Sequence, residues 1–425
     1  MLWAFGAVAV WALNLLILRC GLGQPLRLGR APVLAAGFAF LMTLFGSGSY
    51  WATTLLYPWY RVGITRAAFL VAVCTAVALA AAAAVVRLRR REHQQSRPAL
   101  EWRWSRLRVV TYLVFVVAAV GTAVTIHRIG YVPILTGDPT AARVQFPAIG
   151  GVWYRVSMIG GVVAMLVAVQ AAARRATPVL YAIGAASLVL VGVYGARFFV
   201  ALPLGVAVLL WDRVRSPLPL WRIALVLVLS APVLGAVGYW RSRDATIRRL
   251  PPIGLLFYGT FQEFRDLAWA VDSYGDCASF LHGRTLGSAV VPLLPTPVWR
   301  VVGVDKVAVY DRNSATFVAD AMGESTGQRI GAYGEFYMNF GWAGAIVGAV
   351  LYGLLLGALD QRDRQTAPEA VPGIFLALVL ATTIFAQIGQ LNMFTSTLTG
   401  YGYPIVLAAL LAARRRGTEG APASA

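Results

Sequence analysis

Apolar positions fall in long unbroken runs, each near the roughly 20 residues that a bilayer crossing needs, and not in the short alternations of a soluble core. The runs lie near residues 2–20, 32–50, 64–86, 109–126, 152–171, 178–194, 198–211, 223–239, 332–358, 372–390 and 402–413. An all-α integral membrane protein with about eleven transmembrane helices is the expectation. The first run starts at Leu2 with no basic segment before it and no clear small-residue cleavage site, so it reads as a retained helix. Residues 179–211 read either as one tilted helix or as two short ones. As two, their helical length of ~50 Å falls short of the ~60 Å of two full crossings. The hairpin must then be shallow, turning at Gly195-Ala196-Arg197 and drawing Arg197 below the surface.

Arginine decides between these readings, because basic residues mark the cytoplasmic ends of spans. Alternate connections are Arg-rich: Arg19, Arg27 and Arg30; the eight arginines of 87–108; Arg174 and Arg175; Arg213, Arg215 and Arg222; Arg362 and Arg364; and Arg414 to Arg416. With Arg174/Arg175 and Arg213/Arg215 on the same side, two short helices are required. That side holds 21 basic residues against seven acidic ones, a net +14, which puts the N-terminus outside and the C-terminus in the cytoplasm. Composition agrees, at 59% hydrophobic and 13% charged, and most of the formal +19 becomes an orientation signal. Nucleic acid is therefore not an expected partner. Three cysteines are too few and too scattered for a disulfide framework or a clustered metal site. The expected organisation is a bundle over 1–239 with an external loop at 127–151, a large external loop at 240–330, and the last three spans with a cytoplasmic tail at 331–425.

Long external connections are where chemistry concentrates. The larger loop has ten basic and nine acidic residues, so it is not a polybasic surface. Within it FQEFRDLAWAVDSYGD has Phe261, Phe264, Leu267 and Val271 at helical spacing, leaving Glu263 and Asp266 near one another on the other side. That acidic pair reads either as a sugar-holding or basic site or as a solvated helix face. The proline-broken apolar run 286–302 is too interrupted to span and reads as interfacial or re-entrant. Glu335, in GEFYMNFG at the mouth of the ninth span, is a functional candidate because an ionisable group there is costly; the alternative is an ion pair with a neighbouring arginine. Gly344, Gly348, Gly353 and Gly357, at intervals of four and five, favour close helix packing.

Arg128, Arg143, Arg155, Arg197, Arg241, Arg243, Arg248, Arg249, Arg284 and Arg329 form an external population with few local carboxylates for several of them. Arginine stays charged and grips phosphate oxygens with two parallel bonds, so a diphosphate at the membrane surface suits it; snorkelling is the alternative for any one of them. His127 and His282 lack metal-ligand spacing, and no adjacent acidic pair or nucleotide motif occurs, so neither a metal nor another cofactor is expected.

Three segments in order carry a resemblance: HRIGYVPILTGDPTAARVQFPAIGG, the GAR turn, and IGAYGEFYMNFGWAGAIVGAVLYGLLLGALD. Together they resemble bacterial oligosaccharide repeat-unit polymerases of the O-antigen polymerase (Wzy) type, over about residues 111–360. The resemblance implies a GT-C-like membrane glycosyltransferase on the outer face of the bacterial cytoplasmic membrane. Its substrates would be undecaprenyl-diphosphate-linked oligosaccharides, polymerised without metal into a cell-surface polysaccharide. Membrane lipid, a flippase and a chain-length regulator are the implied partners. On this reading Arg143, Arg197 and Arg329 hold the diphosphate, with Arg241 and Arg284 in reserve and Glu263 and Asp266 as further substrate contacts. Glu335 is the preferred general base, ahead of His282 and Asp138. Three rivals remain: a ligase that moves the same donor to another acceptor, a membrane scaffold whose loop binds a partner, and a lipid-linked oligosaccharide flippase or transporter. The last tends to show repeated halves and charges at the bilayer midplane, which the sequence lacks.

Overall fold

The computed structural model describes residues 2–21, 30–56, 63–89, 100–136, 149, 151–194, 197–215, 250, 254, 262–275, 278–294, 296–322, 329–366, 370–387 and 389–415. In chain order its principal helices are α1 (Leu2–Leu16), α2 (Ala31–Leu56), α3 (Ile64–Arg89), α4 (Trp104–Ile129), α5 (Gly160–Ala172), α6 (Pro178–Gly192) and α7 (Arg197–Val214). They continue with α8 (Gln262–Ser273), α9 (Thr296–Val302), α10 (Lys306–Tyr310), α11 (Ser314–Met322), α12 (Gly331–Gln365), α13 (Val371–Phe385) and α14 (Leu391–Ala412). Among the described residues six helices are long and apolar enough to cross a membrane, and three shorter ones are apolar. The expected span at 223–239 lies outside the described residues. A two-stranded antiparallel ladder joins β1 (Leu100–Trp102) to β2 (Ala413–Arg415), an addition to the expected all-helical chain.

The chain forms two compact units. In the first (1–91, 217–360 and 382–399), α1 and α2 pack on α3, and α8, from the 240–330 connection, lies against both α2 and α3. Small side chains allow the close approaches. Gly353 and Gly357 of α12 rest on Ala78 and Ala82 of α3, and a Cβ at Gly357 would meet the Ala82 carbonyl at 2.9 Å. A buried ion pair closes one end of the unit: Arg30 Nη2 donates to Asp360 Oδ2 at 3.0 Å and Nε to Oδ1 at 3.3 Å. Removing one partner of such a pair leaves a buried charge behind. Asp360→Ala is therefore expected to cost about 3–5 kcal/mol, read as a lower thermal midpoint in detergent. An unchanged midpoint would show that the pair contributes nothing.

α12 is not the single crossing that its sequence suggests. In a straight helix Tyr333 and Tyr352 would stand ~28 Å apart, at 1.5 Å per residue. Their ring centroids are 5.7 Å apart, edge to face. The chain reverses at Gly341, whose backbone (φ 64°, ψ −152°) is non-helical, and Phe336 folds back onto Gly348. The expected ninth span, 332–358, is thus a helical hairpin. Its long arm, 342–365, covers ~36 Å, enough to cross a ~30 Å core, and its short arm, 331–340, covers ~15 Å.

The last helix starts at Leu391, well before the apolar run at 402–413. Polar residues interrupt the hydropathy there, but their hydroxyls bond back to carbonyls one turn earlier: Ser396 to Asn392 at 2.6 Å, Thr397 to Met393 at 2.7 Å and Thr399 to Thr395 at 3.0 Å. A hydroxyl satisfied in this way is tolerated in an apolar helix.

In the second unit (92–216, 361–381 and 400–425), α5 packs on α4, α6 and α7. Residues 178–192 and 197–214 form two helices, α6 and α7, packed against each other, and not one tilted helix. Gln170 of α5 donates to Thr111 of α4 at 3.0 Å, an interhelical polar contact inside an otherwise apolar face.

Candidate functional site

The short arm of the α12 hairpin carries GEFYMNF, and each of its ends is tied down. At the start, Ala332 N donates to the Ala386 carbonyl at 2.9 Å. At the far end the break at Gly341 leaves the last carbonyls without helical partners. Met338 and Asn339 accept instead from the backbone amides of Leu281 and His282, at 3.0 Å each. Asn339 completes the strap. Its Oδ1 accepts from Gly283 N at 2.8 Å, and its Nδ2 donates to Thr285 Oγ1 and to the Glu335 carbonyl, both at 2.7 Å. His282 (φ 48°) and Gly283 (φ 86°) take left-handed backbone to make this fit. Segment 281–285 is therefore fastened to the arm by main-chain and Asn339 bonds.

Glu335 sits beneath this strap with no exposed surface. Its Oε2 accepts from Leu391 N at 2.9 Å, the first amide of α14, where the helix dipole favours negative charge. The hydroxyls of Thr285 and Ser314 stand beside the carboxyl group. Oε1 nevertheless has no hydrogen bond within standard limits, and neither has Ser314 Oγ. Among the described residues no arginine pairs with Glu335, so the ion-pair alternative does not account for it. A wholly buried carboxylate held by one backbone amide and two neighbouring hydroxyls, with no cation beside it among the described residues, is costly to keep charged, which marks it as a functional candidate. Between the two arms of the hairpin and the start of α14 lies an apolar cavity of about 160 Å³, lined in part by Tyr333, Phe336, Tyr352 and Leu391.

A second cluster lies on α8, which also touches the short arm: Tyr337 Oη donates to the Val271 carbonyl at 3.3 Å. Phe264, Leu267 and Val271 are buried, as their spacing predicts. Asp266 departs from the expected solvated face, at 2% exposure. The reason is that α8 lies against two helices, α2 and α3, so more than one of its faces is covered. Asp266 accepts from Arg265 at 2.8 Å and from Arg329 N at 3.4 Å, while the Arg329 guanidinium lies 3.8 Å from Glu263. The expected site residues Glu263, Asp266 and Arg329 are thus brought together, with the two carboxylates engaged by arginine.

Burial outweighs the attraction of Arg265 and pushes the Asp266 carboxyl up to about 6. A carboxyl that holds its proton more tightly when folded stabilises the fold most below its unfolded pKa, and that contribution fades as pH rises through the folded value. Stability is expected to fall by up to about 3 kcal/mol between roughly pH 4 and pH 6. Asp266→Asn should flatten the pH profile of the thermal midpoint in that window. Parallel profiles for the two proteins would refute it.

The other expected site residues are placed less closely. His282 and Arg284 lie within the strap over Glu335, and both are exposed. Asp138, Arg143 and Arg241 lie outside the described residues, and Arg197 is described in backbone only, as the first residue of α7. Sequence reasoning missed Thr285, Ser314 and the Leu391 amide, which carry no local signal. Asn339 was missed as well, although it stands one helical turn from Glu335. Among the described residues no group of three His, Cys, Asp or Glu side chains is arranged to hold a metal.

The helices define a multi-pass membrane protein with a buried carboxylate in a folded-back helix. No family profile matches the chain, no curated protein matches its sequence, and no solved structure matches its fold.

Proposed function

We propose that the chain is a polymerase of lipid-linked oligosaccharide repeat units, acting on the outer face of a bacterial cytoplasmic membrane. The observation that carries this reading is Glu335, a wholly buried carboxylate with no cation beside it among the described residues, under segment 281–285 at the Gly341 hairpin. Glu335 accepts the proton of the acceptor sugar hydroxyl as that oxygen attacks the anomeric carbon of the donor glycan. The new C–O bond forms as the bond to the polyprenyl diphosphate breaks, and the diphosphate leaves with the electron pair. Arginines stabilise the charge that develops on it, without metal. Arg329 and Arg284 border the arm and the strap, and Arg143, Arg197 and Arg241 complete the proposed set. Substrate reaches Glu335 by displacing residues 281–285, which main-chain and Asn339 bonds hold in place.

The test is the purified protein in liposomes supplied with undecaprenyl-diphosphate-linked repeat units, read by product mass. A ladder of lengthening glycans is the expected result. Transfer of one glycan to a foreign acceptor would identify a ligase, movement between leaflets without a new bond a transporter, and no change in the substrate would overturn the reading.

A further inference from the structure

The second unit holds a different kind of pocket. A groove of about 320 Å³ runs between α5, α6 and α7, at the small end of the ~300–1,000 Å³ typical of ligand pockets. Its wall is almost wholly apolar and built from small residues, including Ala164 and Ala168 of α5 and Gly184 and Ala185 of α6, with Leu204 and Trp211 of α7 closing the other side. Leu204 and Trp211 are exposed, at 46% and 40%, so the groove opens on the protein surface.

One end of the groove is charged. Ala171 lines it, and Arg215 Nη2 donates to the Ala171 carbonyl at 2.9 Å while its guanidinium lies 5.0 Å over the Trp211 ring. Arg215 Nε is buried without a hydrogen bond. Arg174 and Arg175, both exposed, follow within one turn, and Arg108 reaches the same place through the Arg175 carbonyl at 3.3 Å. Of the carboxylates near this end, Asp363 is engaged by Arg213, and Asp212 also acts on Arg213. Among the described residues no salt bridge involves Arg108, Arg174, Arg175 or Arg215. An apolar groove that ends at a cluster of arginines without salt bridges among the described residues matches a lipid whose headgroup is an anion.

We propose that this groove binds one anionic phospholipid, an acyl chain filling the channel and the headgroup phosphate held by Arg174, Arg175 and Arg215. The occupant is membrane lipid and not substrate, and the inference stands whether or not the chain polymerises glycans. Guanidinium donors hold phosphate oxygens while staying charged at the membrane interface. The Arg215–Trp211 contact fixes the cation at the mouth of the groove.

Native mass spectrometry of the purified protein, equilibrated with equal phosphatidylglycerol and phosphatidylethanolamine, tests this. One retained phosphatidylglycerol is expected, favoured at least tenfold. Each surface arginine is worth roughly fivefold in attraction for an anionic lipid. The double variant Arg174→Asn/Arg175→Gln should therefore lose most of the preference, and asparagine tolerates the positive φ of 57° at position 174. Ala185→Phe, on the exposed outer wall where it cannot disturb the core, should lose bound lipid of either kind. Equal retention of the two lipids, no retained lipid, or undiminished lipid in Ala185→Phe would each overturn the site.

Discussion

Glu335→Gln is expected to slow chain extension by about 10²–10⁴-fold, the usual contribution of a positioned general base. The substitution is nearly isosteric, and its amide oxygen can still accept from Leu391 N, the bond that ties the carboxylate to the start of α14. The new NH₂ group faces the hydroxyls of Thr285 and Ser314, which can accept from it. Loss of activity should therefore come without loss of fold, and an unchanged thermal midpoint and elution profile check that half of the expectation. Glu335→Asp keeps the acid but withdraws it by one methylene. It should fall between wild type and the glutamine variant, because a displacement near 1 Å already costs about 10²-fold at a reacting centre. Extension by Glu335→Gln at the wild-type rate would remove the carboxylate from the chemistry and leave it a structural link between the hairpin and α14.

Hydropathy made the helices legible where apolar runs were continuous, as in α3 and α4, because a bilayer crossing demands length and little else. It failed at two places, and both border Glu335. The hairpin turn at Gly341 is invisible because the two arms are equally apolar, and one glycine among many carries no sign of its φ. The start of α14 is hidden because a scale that counts Thr and Ser as polar cannot see that their hydroxyls are satisfied by the preceding turn. The same limit applies to charge. Glu335 could be singled out because an ionisable group in a span is rare, whereas Asp266 looked like a surface residue until α2 and α3 were seen to cover it. Thr285 and Ser314 are far apart in the 240–330 connection, and only tertiary structure brings them to one carboxylate.

The hairpin itself makes the last expectation the sharpest test of the site. Gly341 holds φ 64° and ψ −152°, a region that residues with a side chain essentially do not adopt. A Cβ there would also lie 2.9 Å from the Phe280 ring, which packs edge to face on Tyr337 of the short arm. Gly341→Ala should thus cost roughly 1–3 kcal/mol in backbone strain and a further 1–3 kcal/mol in crowding. The two terms separate in a double-mutant cycle with Phe280→Ala, which removes the crowding and leaves the strain. A thermal midpoint that recovers in part, but not fully, relative to Phe280→Ala alone is the expected outcome. Relief of strain by re-forming a straight helix would carry Tyr333 away from Tyr352 and Glu335 away from Leu391 N, so extension should fall at least 10²-fold even in protein that remains folded. If Gly341→Ala were both stable and fully active, the reversal at Gly341 would not be the conformation in which Glu335 works. The proposed base would then have to act from a straight span.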